Sequence, residues 1–453
     1  MGNDKLNKIL IVTHGFPPSE LGGTELYAYN LAKLLSSKGI KVLVYTRLTR
    51  PLLRKDDTTE GYVGEEFEGL RVFRSIDSFY DLREFLNPYI SNTFRNIIRK
   101  EKPDLVHFQH LFCLSADLPE IASSCNIPCI MTLHDYWFIC PRIQLLNKEN
   151  KICDGPVEGV NCAFCFDTRL LYEYRLSNRL KKFIPGRFKG FVKEMKQDVD
   201  NKRISYTSRA LEFNFRLNFL KRQFNLFKNK ISPSRYLIKR YEKEGFKGID
   251  YLPLGFPPVP KVESNFGNRL RLGYMGNINY PKGLSIVVKE LVPLLRQKKI
   301  KLVIYGKPYD LQYFNEIKSV IAGIPSDTVK LYGGYKNSFE ELWNIFSSFD
   351  VLIFPSVWEE NSPIVVREAL LAGKPVIASQ LGGVPEIVKD GGNGLLFNPF
   401  KYGELRDKVE RLSNDRELLK KLCSGALSTD IPTLEEHIDK VICLYEDMLP
   451  GGG

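Results

Sequence analysis

Short apolar runs alternate with helical patterns along the first half of the chain. The apolar runs lie at 8–13, 41–45, 104–108 and 129–133. The stretch between the first two has helical periodicity, with Thr24 as the expected N-cap and Gly39 as the residue that ends the helix after Ser37. Strands that are separated by helices of this length predict βαβ units and a parallel sheet.

The same alternation starts again in the second half of the chain. Its apolar runs lie at 270–275, 301–305, 329–332, 350–354 and 374–378. The proline-rich segment 256–260 is typical of a stiff linker. Because 453 residues exceed what one hydrophobic core usually serves, we expect two domains. The pattern predicts an α/β protein with two doubly wound, Rossmann-like domains over 1–255 and 256–432, and a last helix over 433–450.

The overall composition is that of an ordinary globular protein. Hydrophobic residues make up 43% of the chain and charged residues 26%. No apolar run approaches the ~18 residues that cross a membrane. The segment Met1–Asn7 is polar and leads directly into the first strand, without the small-residue cleavage site of a signal peptide. We therefore expect a cytoplasmic location.

Positive charge is concentrated in the segment 169–230, which makes up most of a basic insertion that we place at 166–230 of the first domain. The segment contains 17 Lys and Arg residues against 5 Asp and Glu, and this surplus equals the net charge of +12 of the whole chain. Phenylalanines are interleaved with the basic residues, which suits an anionic membrane surface such as the inner face of the cell membrane. A solvated helical insertion with a small aromatic core fits the composition equally well. Both interpretations stay open, and we expect no nucleic-acid partner.

The most informative stretch of the chain is WEENSPIVVREAL at 358–370. Ser362 is expected to cap a helix whose first position is Pro363, where no backbone donor is needed. This helix N-terminus follows an apolar strand. Open α/β sheets bind ligands at that place, and bare N–H groups favour an anion there. Glu360, just before the helix, would then face a ligand. Glu368, about two turns into the helix, would accept hydrogen bonds from hydroxyl groups deeper in the cleft.

Three further motifs follow this pair of glutamates, which are separated by seven residues. They are AGKPVIA at 372–378, GGVPE at 382–386 and GGNGLL at 391–396. In this order the motifs resemble those of the retaining glycosyltransferases of family 4. The resemblance implies the GT-B fold, in which two Rossmann-like domains face each other across a cleft. It further implies that the first domain binds the acceptor, that the second binds a nucleotide sugar and that the last helix crosses back to the first domain.

The resemblance also implies which residues carry the chemistry. The loop GNINYPKG at 276–283 matches the diphosphate loop of the family, with Lys282 at the position of the phosphate-binding lysine. Asn277 stands where the family usually has arginine, so that one positive charge is missing. His134 matches a histidine that contacts the donor sugar near the reaction centre. We therefore expect His134, Glu360 and Lys282 to be the catalytic residues.

Further donor contacts are expected near the ends of strands. Gly22 and Gly23 lie between the first strand and the first helix, where glycine lets the backbone approach a phosphate. The other donor-binding residues that the resemblance implies are Asn277, Gly306, Tyr335, Asn361, Ser362, Pro363, Ile364 and Glu368. No Asp-x-Asp motif ends a predicted strand, because Asp198 and Asp200 lie in the basic segment and are interpreted as surface charge. The resemblance implies an enzyme that needs no metal for catalysis.

The implied activity is the transfer of a sugar from a UDP or GDP sugar to a glycan or lipid-linked acceptor, with retention of configuration. Such a reaction would serve the synthesis of surface polysaccharide or glycoconjugates. Two alternatives stay open. One is a nucleotide-sugar epimerase of the same fold. The other is a non-catalytic module that binds a nucleotide sugar, which the missing charge at Asn277 favours. The identity of the sugar, the base and the acceptor cannot be read from the sequence.

Four cysteines form a separate motif in an insertion at 140–165. Cys140, Cys153, Cys162 and Cys165 have the spacing C-x12-C-x8-C-x2-C. Four thiolates that include a Cys-x2-Cys pair suit a tetrahedral, structural zinc ion. Reduced structural cysteines are the main alternative, because disulfides are rare in a reducing cytoplasm. An iron–sulfur cluster or disulfides are the remaining interpretations.

Overall fold

The computed structural model of the protein describes residues 6–48, 61–76, 84–166, 209–263, 266–335 and 338–449. The chain divides into two compact units. The first unit consists of Met1–Ile231, Arg240–Asp250 and Tyr445–Gly453. The second unit consists of Ser232–Lys239 and Tyr251–Leu444. A short segment from the middle of the chain therefore belongs to the second unit, ahead of the rest of that unit in sequence.

Strands and helices alternate along the chain up to residue 251. The strands are β1 (Lys8–Val12), β2 (Lys41–Arg47), β3 (Tyr62–Phe67), β4 (Leu70–Ser75), β5 (Leu105–Phe108), β6 (Cys129–Thr132), β7 (Asn229–Ser232) and β8 (Asp250–Tyr251). The helices are α1 (Gly23–Ser37), α2 (Pro88–Glu101), α3 (Leu118–Ser124), α4 (Val160–Phe166), α5 (209–224) and α6 (Arg235–Lys243).

These strands form an eight-stranded sheet within the described residues, in the order β3-β4-β2-β1-β5-β6-β7-β8. Neighbouring strands from β4 to β7 pair in parallel, and the hairpin of β3 and β4 is antiparallel. The central strand β1 is fully buried from Ile9 to Val12, as expected for a parallel strand that is covered on both faces. Because parallel strands end at the same edge, the residues that follow β1, β5 and β6 gather there.

Part of the basic segment contributes to the core of the first unit. Phe224 and Phe227 are buried, and their rings lie 5.3 Å and 6.4 Å from the ring of Phe138. Phe215, on the same helix as Phe224, is 55% exposed. The described end of the segment therefore combines core residues with an exposed aromatic side chain. The remainder of the segment, 169–208, lies outside the described residues.

The second unit has its own parallel sheet. Its strands are β9 (Leu270–Met275), β10 (Ile300–Tyr305), β11 (Val329–Tyr332), β12 (Val351–Phe354), β13 (Val376–Ser379) and β14 (Gly394–Phe397). Its helices are α7 (Leu284–Arg296), α8 (Leu311–Ala322), α9 (Phe339–Ser347), α10 (Ile364–Leu371), α11 (Val384–Ile387), α12 (Glu404–Asn414), α13 (Arg416–Leu427) and α14 (Leu434–Glu446), with a short 3-10 helix at Tyr280–Lys282.

The strand order of the second sheet is β11-β10-β9-β12-β13-β14. From β9 the chain first proceeds outward through β10 and β11, and it then returns to the other side of β9 and continues through β12 to β14. The order therefore reverses between β9 and β12. In open α/β sheets, ligands bind in the crevice beyond the carboxyl ends of the strands at such a reversal. The loops that follow β9 and β12 are thus the expected walls of a ligand site.

The two parallel-sheet units confirm the α/β class that the sequence predicts. Strands β9 and β11 have the predicted bounds, whereas the predicted cap of the first helix is wrong. Helix α1 begins at Gly23 with Gly22 as its N-cap, and Thr24 lies inside the helix. The hairpin of β3 and β4 was not predicted, because its polar, alternating sequence lacks the apolar run of a buried strand. None of the helices in the described residues combines the length and the apolar character that crossing a bilayer requires.

Candidate functional site

Glu360 lies in the loop between β12 and α10, and only 6% of its surface is exposed. Its Oε1 atom accepts hydrogen bonds from Lys282 Nζ at 2.7 Å, from Trp358 Nε1 at 2.7 Å and from Ser356 Oγ at 2.9 Å. Three donors on one oxygen hold the carboxylate in a single orientation. The sequence predicts Glu360 and Lys282 as site residues, whereas Ser356 and Trp358 were missed because hydroxyl and indole groups in a loop carry no periodic signal.

Lys282 reaches Glu360 because β9 and β12 are neighbours in the sheet. Lys282 ends the short 3-10 helix after β9, and Gly283 follows with a φ of +69°. A Cβ atom at Gly283 would lie 1.9 Å from the carbonyl oxygen of Pro355, so that only glycine allows the two loops to approach this closely. The ammonium group also lies 5.6 Å from the centre of the Trp358 ring. The phosphate-loop lysine and the first glutamate of the motif thus form one polar centre.

Helix α10 begins at Ile364, with Pro363 as its N-cap and no side-chain cap. The prediction that Ser362 caps this helix with Pro363 at its first position is therefore wrong. The Ser362 hydroxyl instead accepts a hydrogen bond from Arg367 Nε at 3.0 Å, so it is directed toward the side of the helix rather than its free N–H groups. The backbone N–H groups at the start of α10 are left without a side-chain cap within the described residues. This is the helix start at which the sequence predicts anion binding.

Glu368 lies in the second turn of α10, nearer to the helix start than the sequence predicts, and it is 6% exposed. Burial raises the pKa of its carboxyl from 4.5 to about 7. Burial raises the pKa of the Tyr335 hydroxyl, and the negative charge of Glu368 raises it further. A buried carboxyl group with this pKa is suited to accept hydrogen bonds from ligand hydroxyl groups, which would favour its ionised form.

Two further predicted donor residues, Asn277 and Gly306, follow the carboxyl ends of β9 and β10. The Gly306 N–H donates to the carbonyl of Gly333 at 3.1 Å. A Cβ atom at Gly306 would lie 2.2 Å from the carbonyl oxygen of Gly276, which explains the need for glycine. The carbonyl of Asn277 accepts a hydrogen bond from Tyr274 Oη at 3.0 Å, which anchors the loop that carries Lys282. These loops therefore pack on one another at the same edge as Glu360.

A glycine pair, Gly382 and Gly383, contacts the backbone of the loop that carries Glu360. Gly382 has a φ of +59°, and a Cβ atom there would lie 2.3 Å from the carbonyl oxygen of Glu360. The N–H of Gly383 donates to that same carbonyl at 2.7 Å. A Cβ atom at Gly383 would lie 1.9 Å from the carbonyl oxygen of Asn361. The GGVPE motif thus has a direct steric role, which is to let the backbone at 382–383 contact the loop at 359–361.

His134 follows β6 in the first unit. Its Nε2 atom lies 2.9 Å from Oε1 of Gln109, and its ring lies 5.2 Å from the ring of Tyr27. Burial lowers the pKa of the imidazole to about 3. His134 is therefore neutral at physiological pH, and it can act as a hydrogen-bond partner but not as a positive charge.

Gly22 and Gly23 lie at the N-terminus of α1, as expected, and a carboxylate accompanies them. A Cβ atom at Gly22 would lie 2.4 Å from Oε2 of Glu25. Oε1 of Glu25 lies 3.1 Å from Nε2 of His14. Burial alone would raise the pKa of Glu25, but the hydrogen bond and charge of His14 outweigh it and hold the pKa at about 2. The glycine at position 22 thus makes room for an ionised glutamate.

A second imidazole–carboxylate pair lies beside the first. Nδ1 of His110 accepts a hydrogen bond from the N–H of Phe112 at 2.8 Å, so its Nε2–H donates to Oδ2 of Asp135 at 2.7 Å. The rings of His110 and His14 are 4.4 Å apart. The sequence motifs do not single out any of these four residues. The positions of His14, His110 and Asp135 just after β1, β5 and β6 are the signal that could have found them, because the ends of parallel strands share one edge.

His107 has a different environment. It is fully buried within β5, where Nδ1 lies 2.6 Å from Tyr445 Oη and Nε2 lies 2.7 Å from Thr132 Oγ1. Both ring nitrogens are therefore engaged inside the first unit. This environment favours a packing role for His107.

Two family models match the chain. The model described as Glycosyltransferase Family 4 matches residues 21–184, and the model described as Glycosyl transferases group 1 matches residues 269–415. The chain belongs to the glycosyltransferases. The second match includes Lys282, Glu360 and Glu368, and the first includes Gly22 and His134.

Similar proteins support the family at lower coverage. This glycosyltransferase is 32% identical over 142 residues to an uncharacterized glycosyltransferase of Methanocaldococcus jannaschii, which corresponds to 31% of this chain and 35% of that protein. It is 28% identical over 206 residues to the lipopolysaccharide 1,2-N-acetylglucosaminetransferase of Salmonella typhimurium, which corresponds to 41% of this chain and 53% of that protein. The matches thus span about a third and about half of the length of these two relatives.

Solved structures share the fold over nearly the whole chain. The structure of HepE from Anabaena, determined in complex with UDP and glucose, has a TM-score of 0.62 and 16% sequence identity. The alignment covers 96% of this glycosyltransferase and 98% of HepE. At this identity the similarity shows the fold, which is GT-B as the sequence resemblance implies.

The cysteines of this glycosyltransferase are free thiols in the structure. Burial raises the pKa of Cys140, Cys153, Cys162 and Cys165, and the charges of the other three cysteines raise the pKa of Cys162 further, so the four lie in one region of the first unit. Among the described residues, however, no group of three or more His, Cys, Asp or Glu side chains is arranged to hold a metal ion. The structure does not show a formed zinc site, and the zinc assignment stays a prediction.

Proposed function

We propose that this glycosyltransferase moves a sugar from a nucleoside-diphosphate sugar to a hydroxyl group of a glycan or lipid-linked acceptor, with retention of anomeric configuration. The observation that carries the proposal is the pairing of Lys282 with Glu360 at the point where the second sheet reverses its strand order. A cation and an orienting carboxylate side by side suit a substrate that has a diphosphate next to a polyhydroxylated ring.

In the proposed reaction the bond between the anomeric carbon and the β-phosphate oxygen breaks, and the nucleoside diphosphate leaves with the electron pair. A new bond forms between the anomeric carbon and the acceptor oxygen, on the same face of the ring, and the acceptor hydroxyl passes its proton to the oxygen of the leaving diphosphate. Negative charge grows on the leaving diphosphate. Lys282 and the uncapped start of α10 are the groups of this unit that would stabilise that charge.

Glu360 has a different role in the proposal. In the structure its charge is balanced by Lys282. A bound diphosphate would compete for the ammonium group, and hydroxyl groups of the donor sugar would then replace it as donors to the carboxylate. Glu368 would accept hydrogen bonds from the ribose, because it lies further along α10 beside Tyr335. In this proposal Glu360 binds the sugar of the donor and Glu368 binds the ribose of its nucleoside.

The choice of nucleotide base in the donor rests only on similarity to a solved structure. HepE, which shares the fold, has been solved in complexes with UDP and with UDP-glucose. This supports a UDP sugar as the donor, with a GDP sugar as the other candidate. Asn277 stands where the resembled family has arginine, so the diphosphate loop of this protein has Lys282 as its cation.

The acceptor is proposed from the relatives and from the charge of the chain. One relative is a lipopolysaccharide N-acetylglucosaminetransferase, which supports a glycan or lipid-linked acceptor and a role in surface polysaccharide or glycoconjugate synthesis. The surplus charge of 169–230 supports a reversible contact with the anionic inner face of a membrane. On α5, Leu211 is 62% exposed and Phe215 is 55% exposed, one turn apart on the same face. These apolar side chains suit a membrane interface.

Transfer of a radiolabelled sugar tests the proposal. Purified protein is incubated with UDP or GDP sugars and with membrane lipid or glycan extracts, and labelled product is separated from donor. The anomeric coupling constant of the product, measured by NMR, should match that of the donor. A product of opposite configuration would exclude retention. Conversion of the donor sugar itself would indicate an epimerase, and binding without any product would indicate the non-catalytic module.

A further inference from the structure

A segment that precedes the second domain in sequence completes the loop that carries Glu360. Residues 232–239 belong to the second unit, whereas 240–250 belong to the first. Helix α6 begins within this segment, at Arg235. Its first turn contacts the donor loop at 359–361 through side chains. Neither the motif pattern nor the family resemblance places any residue of this segment in the donor site.

The hydroxyl group of Ser234 is fully engaged. Its oxygen accepts the N–H of Leu237 at 3.1 Å, as an N-cap does, and it donates to Oδ1 of Asn361 at 2.6 Å. A serine hydroxyl has one proton, so that proton is committed to Asn361. The backbone of Ser234 is itself held, because its N–H donates to Ser232 Oγ and its carbonyl accepts from the same hydroxyl. These contacts restrict rotation of the Ser234 hydroxyl, so that the hydrogen bond to Asn361 has a fixed direction.

This hydrogen bond determines how the Asn361 amide is oriented. Ser234 and Asn361 are 1% and 4% exposed, so water cannot easily replace either partner. With Oδ1 directed at Ser234, Nδ2 points away from Ser234 within the plane of the amide group. Rotation of the amide would place two donors, Nδ2 and the Ser234 hydroxyl, against each other.

Tyr236 makes a second connection to the same loop. Its hydroxyl group donates to Oε1 of Glu359, the residue next to Glu360. The helix start is held in place at the same time, because the N–H groups of Arg235 and Tyr236 donate to the two carboxylate oxygens of Glu386 at 3.0 Å and 2.6 Å. Glu386 belongs to the GGVPE motif, whose glycines contact the loop backbone. The GGVPE motif therefore contacts the backbone of the loop at 359–361, and the start of α6 makes hydrogen bonds to the side chains of the same loop.

We propose that Ser234 and Tyr236 are positioning residues for the donor sugar, which orient Asn361 and Glu359 so that these side chains and Glu360 recognise its hydroxyl groups together. The inference rests on the proposed function and adds to it a segment outside the second domain in sequence. According to this inference, the loop at 359–361 discriminates between donor sugars. Lys282 and the start of α10 bind the diphosphate.

Calorimetric titration with two kinds of ligand tests this division. UDP, GDP, UDP-glucose, UDP-N-acetylglucosamine and GDP-mannose are titrated into wild type, Ser234→Ala and Tyr236→Phe. Loss of one buried hydrogen bond to the sugar-binding loop should raise the Kd of the bound sugar nucleotide about tenfold, with the Kd of the corresponding nucleoside diphosphate changed less than about twofold. Ser319→Ala and Tyr402→Phe, at exposed positions of the same unit, are matched controls that should bind like wild type.

A double-mutant cycle separates positioning from a general structural role. If Ser234 acts through Asn361, adding Ser234→Ala to Asn361→Ala should cause no further loss of sugar-nucleotide affinity. Equal losses for the sugar nucleotide and the nucleoside diphosphate, unchanged affinity for both, or additive effects in the cycle would each overturn the inference. Wild-type protein that binds none of the five ligands would overturn the proposed function, and the inference with it. Tyr236→Phe keeps the test open should Ser234→Ala fail to fold.

Discussion

Nζ of Lys282 lies 2.7 Å from Oε1 of Glu360, although 78 positions separate the two residues in sequence. Each limits the other. The lysine neutralises the charge of a glutamate that is almost fully buried. The glutamate in turn holds the ammonium group at the carboxyl edge of the sheet, where an anion with more charge than one carboxylate could replace it as the partner of the lysine. A diphosphate with about two negative charges is such an anion, so we expect donor binding to begin with the exchange of this ion pair.

Lys282→Ala should weaken diphosphate binding and slow transfer together, because the charge acts on both the bound donor and the leaving group. The measurements are the Kd of UDP by calorimetry and kcat with a UDP sugar. Lys420→Ala, which removes an exposed lysine paired with Glu417 at 2.8 Å, is the matched control and should leave both values unchanged. A Lys282→Ala protein with normal donor affinity and normal kcat would show that the phosphate loop is misassigned.

Glu360→Ala should lower kcat by about 10²-fold or more, which is the usual effect of removing one preorganised contact to a transition state. Glu360→Gln keeps the shape of the side chain and removes its charge, so a similar loss there would assign the effect to the carboxylate. Glu417→Ala, at a side chain that is 83% exposed, provides the control. Near-normal turnover in both Glu360 variants would remove this residue from the active site.

Binding of a nucleoside-diphosphate sugar, whose diphosphate lacks the terminal phosphate that titrates at pH ~6, should strengthen as the pH rises toward 7. In the free protein Glu368 has a pKa of about 7, so it is mostly protonated below that value. Ribose hydroxyl groups that donate to the carboxylate favour its ionised form, and binding below pH 7 must then release a proton. Affinity should therefore rise from pH 5.5 to about 7 and level off above it. Titrations in buffers of different ionisation enthalpy count the proton, and Glu368→Gln should abolish both the release and the pH dependence.

The basic segment should bind anionic vesicles at low salt. Each basic side chain adds only ~1 kcal/mol, and screening sets in over ~10 Å at 0.1 M salt, so binding should weaken steeply toward physiological salt. Sedimentation with phosphatidylserine vesicles measures this. Changing Lys181, Lys182, Arg187 and Lys189 to glutamine, all outside the described residues, should abolish binding and leave UDP affinity intact. Wild-type protein that ignores such vesicles even at low salt would favour a structural insertion.

Metal analysis tests the cysteine motif. The spacing predicts close to one zinc per chain, which should be lost in the double variant Cys162→Ser/Cys165→Ser. One feature of the structure favours an anionic cluster there. Arg216 is buried, with a pKa lowered by burial and raised in turn by the neighbouring thiols of Cys140 and Cys162. Four thiolates around Zn²⁺ carry a net charge of about −2, which would compensate this guanidinium. Native protein that is metal-free and fully stable would exclude the site.

Local sequence determined much of the architecture of this protein. The apolar run 270–275 predicts strand β9 with the observed bounds, because a strand that is buried on both faces needs a continuous apolar sequence. Short motifs likewise predict Glu360, Glu368 and Lys282, since a helix start and a phosphate loop depend on residues close together in the chain. Helix caps were less predictable. Ser362 has the right chemistry for a cap, but its hydroxyl contacts Arg367 instead.

Only the tertiary structure decided which of these residues meet. The reversal of strand order between β9 and β12 places Lys282 against Glu360, and no local pattern encodes that order. The contact of Ser234 with Asn361 spans 127 positions and joins segments from either side of the predicted domain boundary. The buried pair Asp135–His110 likewise depends on two separate strands, β6 and β5, ending at one edge. Side-chain hydrogen bonds over such distances follow from packing, which the one-dimensional order of residues does not specify.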